Sequence, residues 1–261
     1  MLQEYLENDK ILITKAKDML LLSNKRNCPQ FSNYLDEYEA SVYLDNIQKN
    51  IGKYDGFVAL YGGYSDSERL ICAVFPDRYK YATKQELFDL FPVTPVTITF
   101  NKSFAIAHKD VLGSLMSLGI KREMIGDIFI DKGTAVFFSI NSAVEYIISQ
   151  IDKIGRVGVK LSIGCPTEFN LTRKFEEFSG IITSDRIDSF VALVTKKSRN
   201  ISQEIIASKQ VSINGKIITD VSYRVNPDDK ISVRKYGKFV YLTQTSQTKS
   251  GRMVIQFKKY I

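Results

Sequence analysis

A β-hairpin is encoded near the C-terminus by the sequence KQVSINGK at residues 209–216. Val211 and Ile213 alternate with polar residues, which is typical of a half-buried strand. The pair Asn214-Gly215 readily adopts the positive φ angles of a type I′ turn. Two helical stretches precede the hairpin, and a second turn at residues 226–229 leads into another alternating run. The sequence therefore predicts a small C-terminal module of two helices and a β-sheet.

The two helices of this module are predicted from cap residues and apolar stripes. We expect Asp185 to cap the first helix and Ser198 the second, because both side chains accept hydrogen bonds from the free amides of a first helical turn. Residues at three- and four-residue spacing give each helix an inward face. These residues are Ile187, Phe190, Val191 and Val194 in the first helix, and Ile201, Ile205 and Ile206 in the second.

Basic residues are concentrated in the same part of the chain. The 261 residues have a net charge of +7, but residues 181–261 hold 15 Lys or Arg against 6 Asp or Glu, whereas residues 1–180 hold 21 against 23. Such an excess indicates a polyanion-binding module, because neutralised phosphates release counterions. A solvated basic face that aids solubility is the other interpretation of the charge.

Several motifs of this module resemble the S4 RNA-binding domain. They follow in order as Arg186-Ile187-Asp188, Ser198-Arg199, Ile205-Ile206, residues 209–216 and Asp229-Lys230-Ile231. An arginine near a helix N-terminus combines amide donors with a guanidinium fork, which suits a phosphate. The resemblance implies an RNA-binding surface made by Arg186, Ser198, Arg199, Lys209, Lys216, Arg234, Lys235 and Lys238.

The middle of the chain has the element order βαββαβ. Strands are predicted at residues 96–100, 127–130, 135–140 and 157–163, and helices at residues 111–118 and 143–151. This is the order of the ferredoxin-like arrangement that many RNA-recognition modules share. Residues 132–138 partly match the strand motif of those modules but have Thr134 and Val136 where aromatic residues stack bases.

The first eighty residues predict two helices and a pair of strands. Leu12, Ala16, Met19 and Leu20 form an apolar stripe in the first helix, and residues 36–48 form the second. Pro29 and Ser32-Asn33 separate the two helices, and β-rich runs at residues 57–60 and 70–75 indicate a hairpin-like pair.

These patterns together predict an α+β fold. The expected domains are an N-terminal α/β module at residues 1–80, a central ferredoxin-like (RRM-like) domain at residues 81–165 and the S4-like domain at residues 181–261, with a polar linker from Pro166 to Gly180. No run approaches the roughly 18 apolar residues of a membrane span, and no secretion signal is recognised. Three dispersed cysteines and one histidine exclude a disulfide framework and a Cys/His zinc site, and suit a reducing cytoplasm.

A wider resemblance, to the YlmH family of bacterial S4-domain proteins, comes from the run His108 to Ile128 and the continuation Arg234 to Phe239. Gly62-Gly63-Tyr64 with Glu68-Arg69, and residues 31–36, are similar to N-terminal motifs of that family. The resemblance implies a factor of ribosome-associated quality control. Its implied partners are large-subunit ribosomal RNA, tRNA and the large ribosomal subunit with a stalled peptidyl-tRNA, whose nascent chain receives C-terminal tailing.

The residues offer little support for catalysis. His108, Lys109 and Asp110 are consecutive, and consecutive side chains rarely converge on one atom, so we expect a capping or turn role. A candidate second RNA contact comprises His108, Lys109, Lys121 and Arg122. Glu123 and Asp127 make a poor metal pair, because hard cations need several oxygen ligands. Motifs for acyl transfer, nucleotide hydrolysis and dinucleotide binding are missing from the sequence, which predicts no catalytic residue, metal or cofactor.

Two other functions remain open from the sequence. S4 domains accompany pseudouridine synthases and methyltransferases, so an RNA-modifying enzyme or its accessory subunit is one alternative; in such synthases, however, the domain is typically N-terminal. A scaffold that docks protein partners through the acidic N-terminal part is the other. We predict a monomeric, cytoplasmic, non-catalytic RNA-binding factor.

Overall fold

The computed structural model describes residues 2–52, 56–249 and 251–261. It divides between Leu171 and Thr172 into two compact units. Both units combine helices with antiparallel sheets, which confirms the α+β class. Among the described residues, no helix combines the length and the apolar character needed to cross a membrane.

The first unit begins with helices packed on a small sheet. Its elements are α1 (Leu2–Arg26), β1 (Gln30–Leu35), α2 (Glu37–Ile51), β2 (Gly56–Tyr61) and β3 (Leu70–Pro76). The strands lie in the order β1-β3-β2, and α1 and α2 cover one face through a core that includes Leu20, Tyr43 and Ile47. Both predicted helices and the strand pair are confirmed.

Strand β1 occupies the segment expected only to separate the two helices. The polar Ser32 favours a break between the helices, but its hydroxyl accepts a hydrogen bond from the Cys72 amide at 2.9 Å and donates to the Asn33 carbonyl at 2.7 Å. The strand has an irregular register between Phe31 and Tyr34. A serine whose hydroxyl is fully bonded is therefore tolerated inside the sheet.

A second sheet in the same unit has the ferredoxin-like order. The elements are α3 (Lys84–Phe88), β4 (Val93–Phe100), α4 (His108–Ser117), β5 (Ile125–Asp131), β6 (Thr134–Ile140), α5 (Asn141–Gln150), β7 (Lys153–Ile154) and β8 (Val157–Ile163). The antiparallel strand order β5-β6-β4-β8-β7 contains the split βαβ arrangement, with α4 and α5 packed on one face. The RRM-like prediction is confirmed.

The other face of this second sheet is covered by the first sheet. Phe129, Val136 and Phe138 pack with Tyr34 and Phe75 in one buried cluster. RNA-recognition modules stack bases on the corresponding face, so the partial motif at residues 132–138 builds core here. The close fit explains one glycine: at Gly63, where φ is +109°, a Cβ atom would lie 2.3 Å from the Phe138 ring. The domain division at residue 80 stays a prediction.

The second unit is the S4-like part. It comprises β9 (Phe175–Ile182), α6 (Ile187–Thr195), α7 (Arg199–Ala207), β10 (Val211–Ile213), β11 (Lys216–Ile217), β12 (Lys230–Val233), β13 (Gly237–Gln247) and β14 (Met253–Tyr260). The six strands lie in the order β11-β10-β12-β13-β14-β9. Phe190 and Ile206 of the helices pack against Ile231 and Phe257 of the sheet. Asn214 and Gly215 have φ values of +49° and +81°, as the predicted turn requires.

The linker expected at residues 166–180 is wrong for its last part, because Phe175–Ile182 forms the edge strand β9. Phe178 stacks on Phe257 at 5.6 Å between ring centroids, and Gly180 lies so close to α6 that a Cβ atom would be 2.5 Å from Leu193. The strand pairs with β14, which lies about seventy residues later.

Two details of the helices also differ from expectation. Helix α6 begins at Ile187, and Arg186, not Asp185, occupies its cap position, because the Arg186 carbonyl accepts the first helical hydrogen bond, from the Phe190 amide at 3.2 Å. The stripe predicted for α7 is only partly inward: Ile206 is buried, whereas Ile201 is exposed.

Candidate nucleic-acid interface

Two of the predicted RNA-binding residues meet on one buried carboxylate. Asp188 lies in the first turn of α6, and its side chain is fully buried. The Arg199 guanidinium donates Nε to Oδ2 at 2.9 Å and Nη2 to Oδ1 at 3.1 Å; Arg186 makes the corresponding pair at 3.3 and 3.1 Å. Gln203 adds a hydrogen bond at 3.0 Å. We call Arg186, Asp188, Arg199 and Gln203 the Asp188 cluster.

The electrostatics of the Asp188 cluster keep its carboxylate charged. Burial alone raises the pKa of Asp188, but hydrogen bonds from Arg199, Gln203 and Arg186 outweigh it and lower the pKa to about 2. The hydrogen bonding between Asp188 and Arg199 also raises the pKa of Arg199. With two guanidinium groups and one carboxylate, the cluster carries a net positive charge at neutral pH.

Each arginine of the Asp188 cluster still faces solvent. The side chains of Arg186 and Arg199 are 36% and 46% exposed. Each uses Nε and one N–H of Nη2 on Asp188, so an outside acceptor can take the N–H groups of Nη1 and the second N–H of Nη2. Neutralising either arginine therefore costs stability, since both compensate a buried charge.

Ser198 has a structural role as the cap of α7. Its hydroxyl accepts a hydrogen bond from the Ile201 amide at 3.4 Å, as the sequence predicted. The cap sets Arg199 at the first position of the helix, from which its side chain reaches Asp188. The RNA contact expected at Ser198 stays a prediction.

Arg224 joins this surface although no sequence motif indicates it. It lies in the irregular segment between β11 and β12 and forms an isolated β-bridge with Arg186. Its side chain is 80% exposed, with Nη1 at 3.7 Å from Asp185. A single loop residue of this kind is not part of a recognisable sequence motif, so only the fold shows that it lies beside Arg186.

The remaining predicted cations of the second unit fall into separate places. Lys209 and Arg234 are brought together, because the Arg234 amide donates to the carbonyl of Gln210 at 2.9 Å; Lys235 follows and is exposed. Lys216 lies at the other end of β10, about 10 Å away along the strand. Lys238 points to the sheet face away from the helices, with Nζ 4.9 Å from the centroid of the Tyr260 ring.

The candidate second RNA contact in the first unit is not one site. His108 and Lys109 begin α4, whereas Lys121 and Arg122 follow its end, so the pairs are separated by about 15 Å of helix. At the start, Asp110 accepts a hydrogen bond from the Ala107 amide at 2.9 Å, which is the expected capping role.

Arg122 is engaged inside the fold. Its guanidinium donates to the carbonyls of Ile125 and Gly126, and burial lowers its pKa to about 10. Arg69 donates to the same Ile125 carbonyl at 3.0 Å and to that of Tyr34 at 3.1 Å. Arg69 therefore joins the two sheets of the first unit, whereas Arg122 is held by carbonyls of β5.

Acidic residues complete the surroundings of these arginines. A cavity of about 460 Å³ is lined by equal numbers of acidic and basic side chains: Asp36, Glu39, Glu123, Arg69, Lys121 and Arg122. Asp127 is buried elsewhere and accepts hydrogen bonds from the Tyr64 hydroxyl at 2.7 Å and the Glu68 amide at 2.8 Å. Glu123 and Asp127 thus serve different contacts.

Comparison with known proteins agrees with this architecture. Residues 88–167 match the family model described as a putative RNA-binding domain in YlmH, and residues 185–231 match the S4 domain. The chain thus carries an S4 domain in its second unit and a match to a YlmH RNA-binding domain in its first. The resemblance to the YlmH family is confirmed.

Two relatives extend the comparison. The chain is 24% identical over 259 residues, 98% of its own length and 97% of the relative's, to the ribosome-associated protein quality control protein P2 of Bacillus subtilis (strain 168). A solved structure titled cell division protein ylmH from Streptococcus pneumoniae shares its fold with a TM-score of 0.51 and 18% identity, covering 62% of this chain and 93% of that one. The matched families are RNA-binding families.

Proposed function

We propose that this protein is a non-catalytic factor of ribosome-associated quality control that binds the large ribosomal subunit through its RNA. The observation that carries the proposal is the Asp188 cluster, which presents two arginines at neighbouring helix starts within a unit of strong positive charge. The name of the Bacillus subtilis relative, which matches along nearly the whole chain, supports the biological context.

The Asp188 cluster suits recognition of an RNA backbone. A guanidinium held on a carboxylate loses less side-chain freedom on binding, and Nη1 of Arg186 and of Arg199 can each donate to a phosphate oxygen. Arg224 beside Arg186 adds a third cation. Contacts of this kind follow the backbone and give affinity with little sequence preference.

We further propose that the RNA includes large-subunit ribosomal RNA and the tRNA of a stalled peptidyl-tRNA, and that binding supports C-terminal tailing of the nascent chain. In this role the protein acts in the cytoplasm as a monomer and needs no cofactor. The fold supports the role by supplying a basic unit for RNA and a separate, nearly neutral unit.

Gradient sedimentation of the full-length protein with purified ribosomal subunits tests this proposal. We expect wild type to travel with free large subunits, and Arg224→Ala to reduce the bound fraction while melting normally. Lys132→Ala, which removes an exposed charge from the first unit, serves as the matched control. Absence of wild type from the large-subunit fractions, or new modified nucleosides in RNA incubated with the protein, contradicts the proposal.

A further inference from the structure

The six-stranded sheet of the second unit has an outer face that the two helices do not cover. Helix residue Phe190 packs on the inner side chains Phe239, Tyr241 and Phe257. Side chains on successive strand positions alternate between faces. Cross-strand pairing therefore places Ser212, Ser232 and Lys238 side by side in one row on the outer face. This row continues to Tyr260 and Phe175.

The end of this row is an aromatic pair surrounded by cations. The rings of Phe175 and Tyr260 lie 4.8 Å apart between centroids at 64°. Lys238 Nζ lies 4.9 Å and the Arg173 guanidinium 5.9 Å from the Tyr260 centroid, and Lys258 Nζ lies 5.8 Å from that of Phe175. We call these five residues the outer-sheet platform.

The outer-sheet platform has three cations, and its two rings are exposed at Phe175 and partly exposed at Tyr260. Glu177, the pairing neighbour of Lys258, contacts that lysine at 3.5 Å and offsets one of the three cations. Phe175 is 40% exposed although it lies in a strand. An apolar partner would desolvate these cations, whereas a nucleotide offers a π face for the rings and a phosphate for the cations.

We propose that the outer-sheet platform binds an unpaired RNA segment, stacking a base on Tyr260 or Phe175 and placing the adjoining phosphates on Lys238, Lys258 and Arg173. Aromatic side chains on an open sheet, flanked by basic residues, are the general arrangement for single-stranded RNA. The inference rests on the proposed RNA-binding function and adds a second surface, on the side of the sheet opposite α6.

Fluorescence anisotropy with full-length protein tests the platform. The probes are a labelled ten-nucleotide single-stranded RNA of mixed sequence and a duplex of the same length. We expect Tyr260→Leu to weaken single-strand binding about tenfold, within the range found for stacked bases, and to change duplex binding less. Tyr260→Phe keeps the ring and retains the affinity. Tyr81→Leu, which removes a highly exposed ring from the first unit, is the matched control.

Crosslinking keeps the test decisive if Tyr260→Leu fails to fold. Single-stranded RNA carrying 4-thiouridine is expected to crosslink to peptides containing Phe175, Lys238 or Tyr260 in wild type, and less in Lys238→Gln. Crosslinks confined to α6, α7 and their loops, or unchanged affinity in folded Tyr260→Leu and Lys238→Gln, overturn the platform while the proposed function stands. Failure of wild type to bind either RNA overturns both.

Discussion

At the scale of single residues, Asp188 determines what the two arginines can do. Its side chain is fully buried, and the charge is acceptable only because three side chains donate to it. Arg186 and Arg199 are therefore structural and surface residues at once. Replacing either has two consequences that an experiment must separate.

We predict that Arg199→Ala lowers both stability and RNA affinity. The variant removes two hydrogen bonds from a buried carboxylate, but Arg186 and Gln203 remain and Arg199 is half exposed. The free energy of unfolding should fall by about 1–2 kcal/mol. Chemical denaturation measures the loss, and Arg199→Lys should recover part of it. An Arg199→Ala protein as stable as wild type would mean that the cluster does not form.

The pH dependence of stability follows from the same carboxylate. The folded pKa of Asp188, about 2, lies below the unfolded value near 3.8, so its contribution is fully present above pH 4 and is lost as pH falls towards 2. The shift corresponds to about 2 kcal/mol. We expect the stability of wild type to fall more steeply between pH 4 and pH 2 than that of Asp188→Asn. An equal loss of stability between pH 4 and pH 2 in the two proteins, measured by chemical denaturation, would exclude the lowered pKa of Asp188.

At the scale of elements, strand β9 depends on a close approach to α6. We predict that Gly180→Ala destabilises the second unit by about 1–3 kcal/mol, because the added Cβ atom would lie 2.5 Å from Leu193. Gly158→Ala in β8 is the matched control, since a Cβ atom there has no neighbour within 4 Å. Thermal melts of both variants provide the comparison, and equal melting temperatures would show that β9 does not pack on α6 in this way.

The same elements show how far the sequence predicts the structure. Asn214-Gly215, the stripe of α6 and the βαββαβ order are recognisable because each depends on neighbours within a few residues. Strands β1 and β9 were missed because their partners, β3 and β14, lie far along the chain. Edge strands with polar or glycine residues lack the continuous pattern that identifies a central strand.

The candidate site was predictable to a similar extent. The S4 motif supplied Arg186 and Arg199, but only the fold shows that Asp188 holds both. Arg224 belongs to no local sequence pattern. Arg122 donates to backbone carbonyls inside the fold, and this contact depends on the path of β5. Sequence motifs thus identify candidate residues, whereas tertiary packing decides which of them are exposed.

At the scale of the whole molecule, charge and burial assign different tasks to the two units. The first sheet covers the face on which an RRM-like sheet would bind bases, and the equal charges around Arg69 leave no strong basic patch there. The positive excess lies in the second unit. We therefore predict that RNA affinity resides in the basic surface of that unit.

The most direct measurement is the salt dependence of affinity for large ribosomal subunits in two charge-matched triple variants. One variant combines Lys216→Ala, Arg224→Ala and Arg234→Ala; the other combines Lys132→Ala, Lys153→Ala and Lys160→Ala at exposed positions of the first unit. If each cation of the first set contacts one phosphate, the slope of log affinity against log salt should decrease in magnitude by about 2 to 3. The control should keep the wild-type slope. Equal slopes in the two variants, with both proteins folded, would contradict the claim.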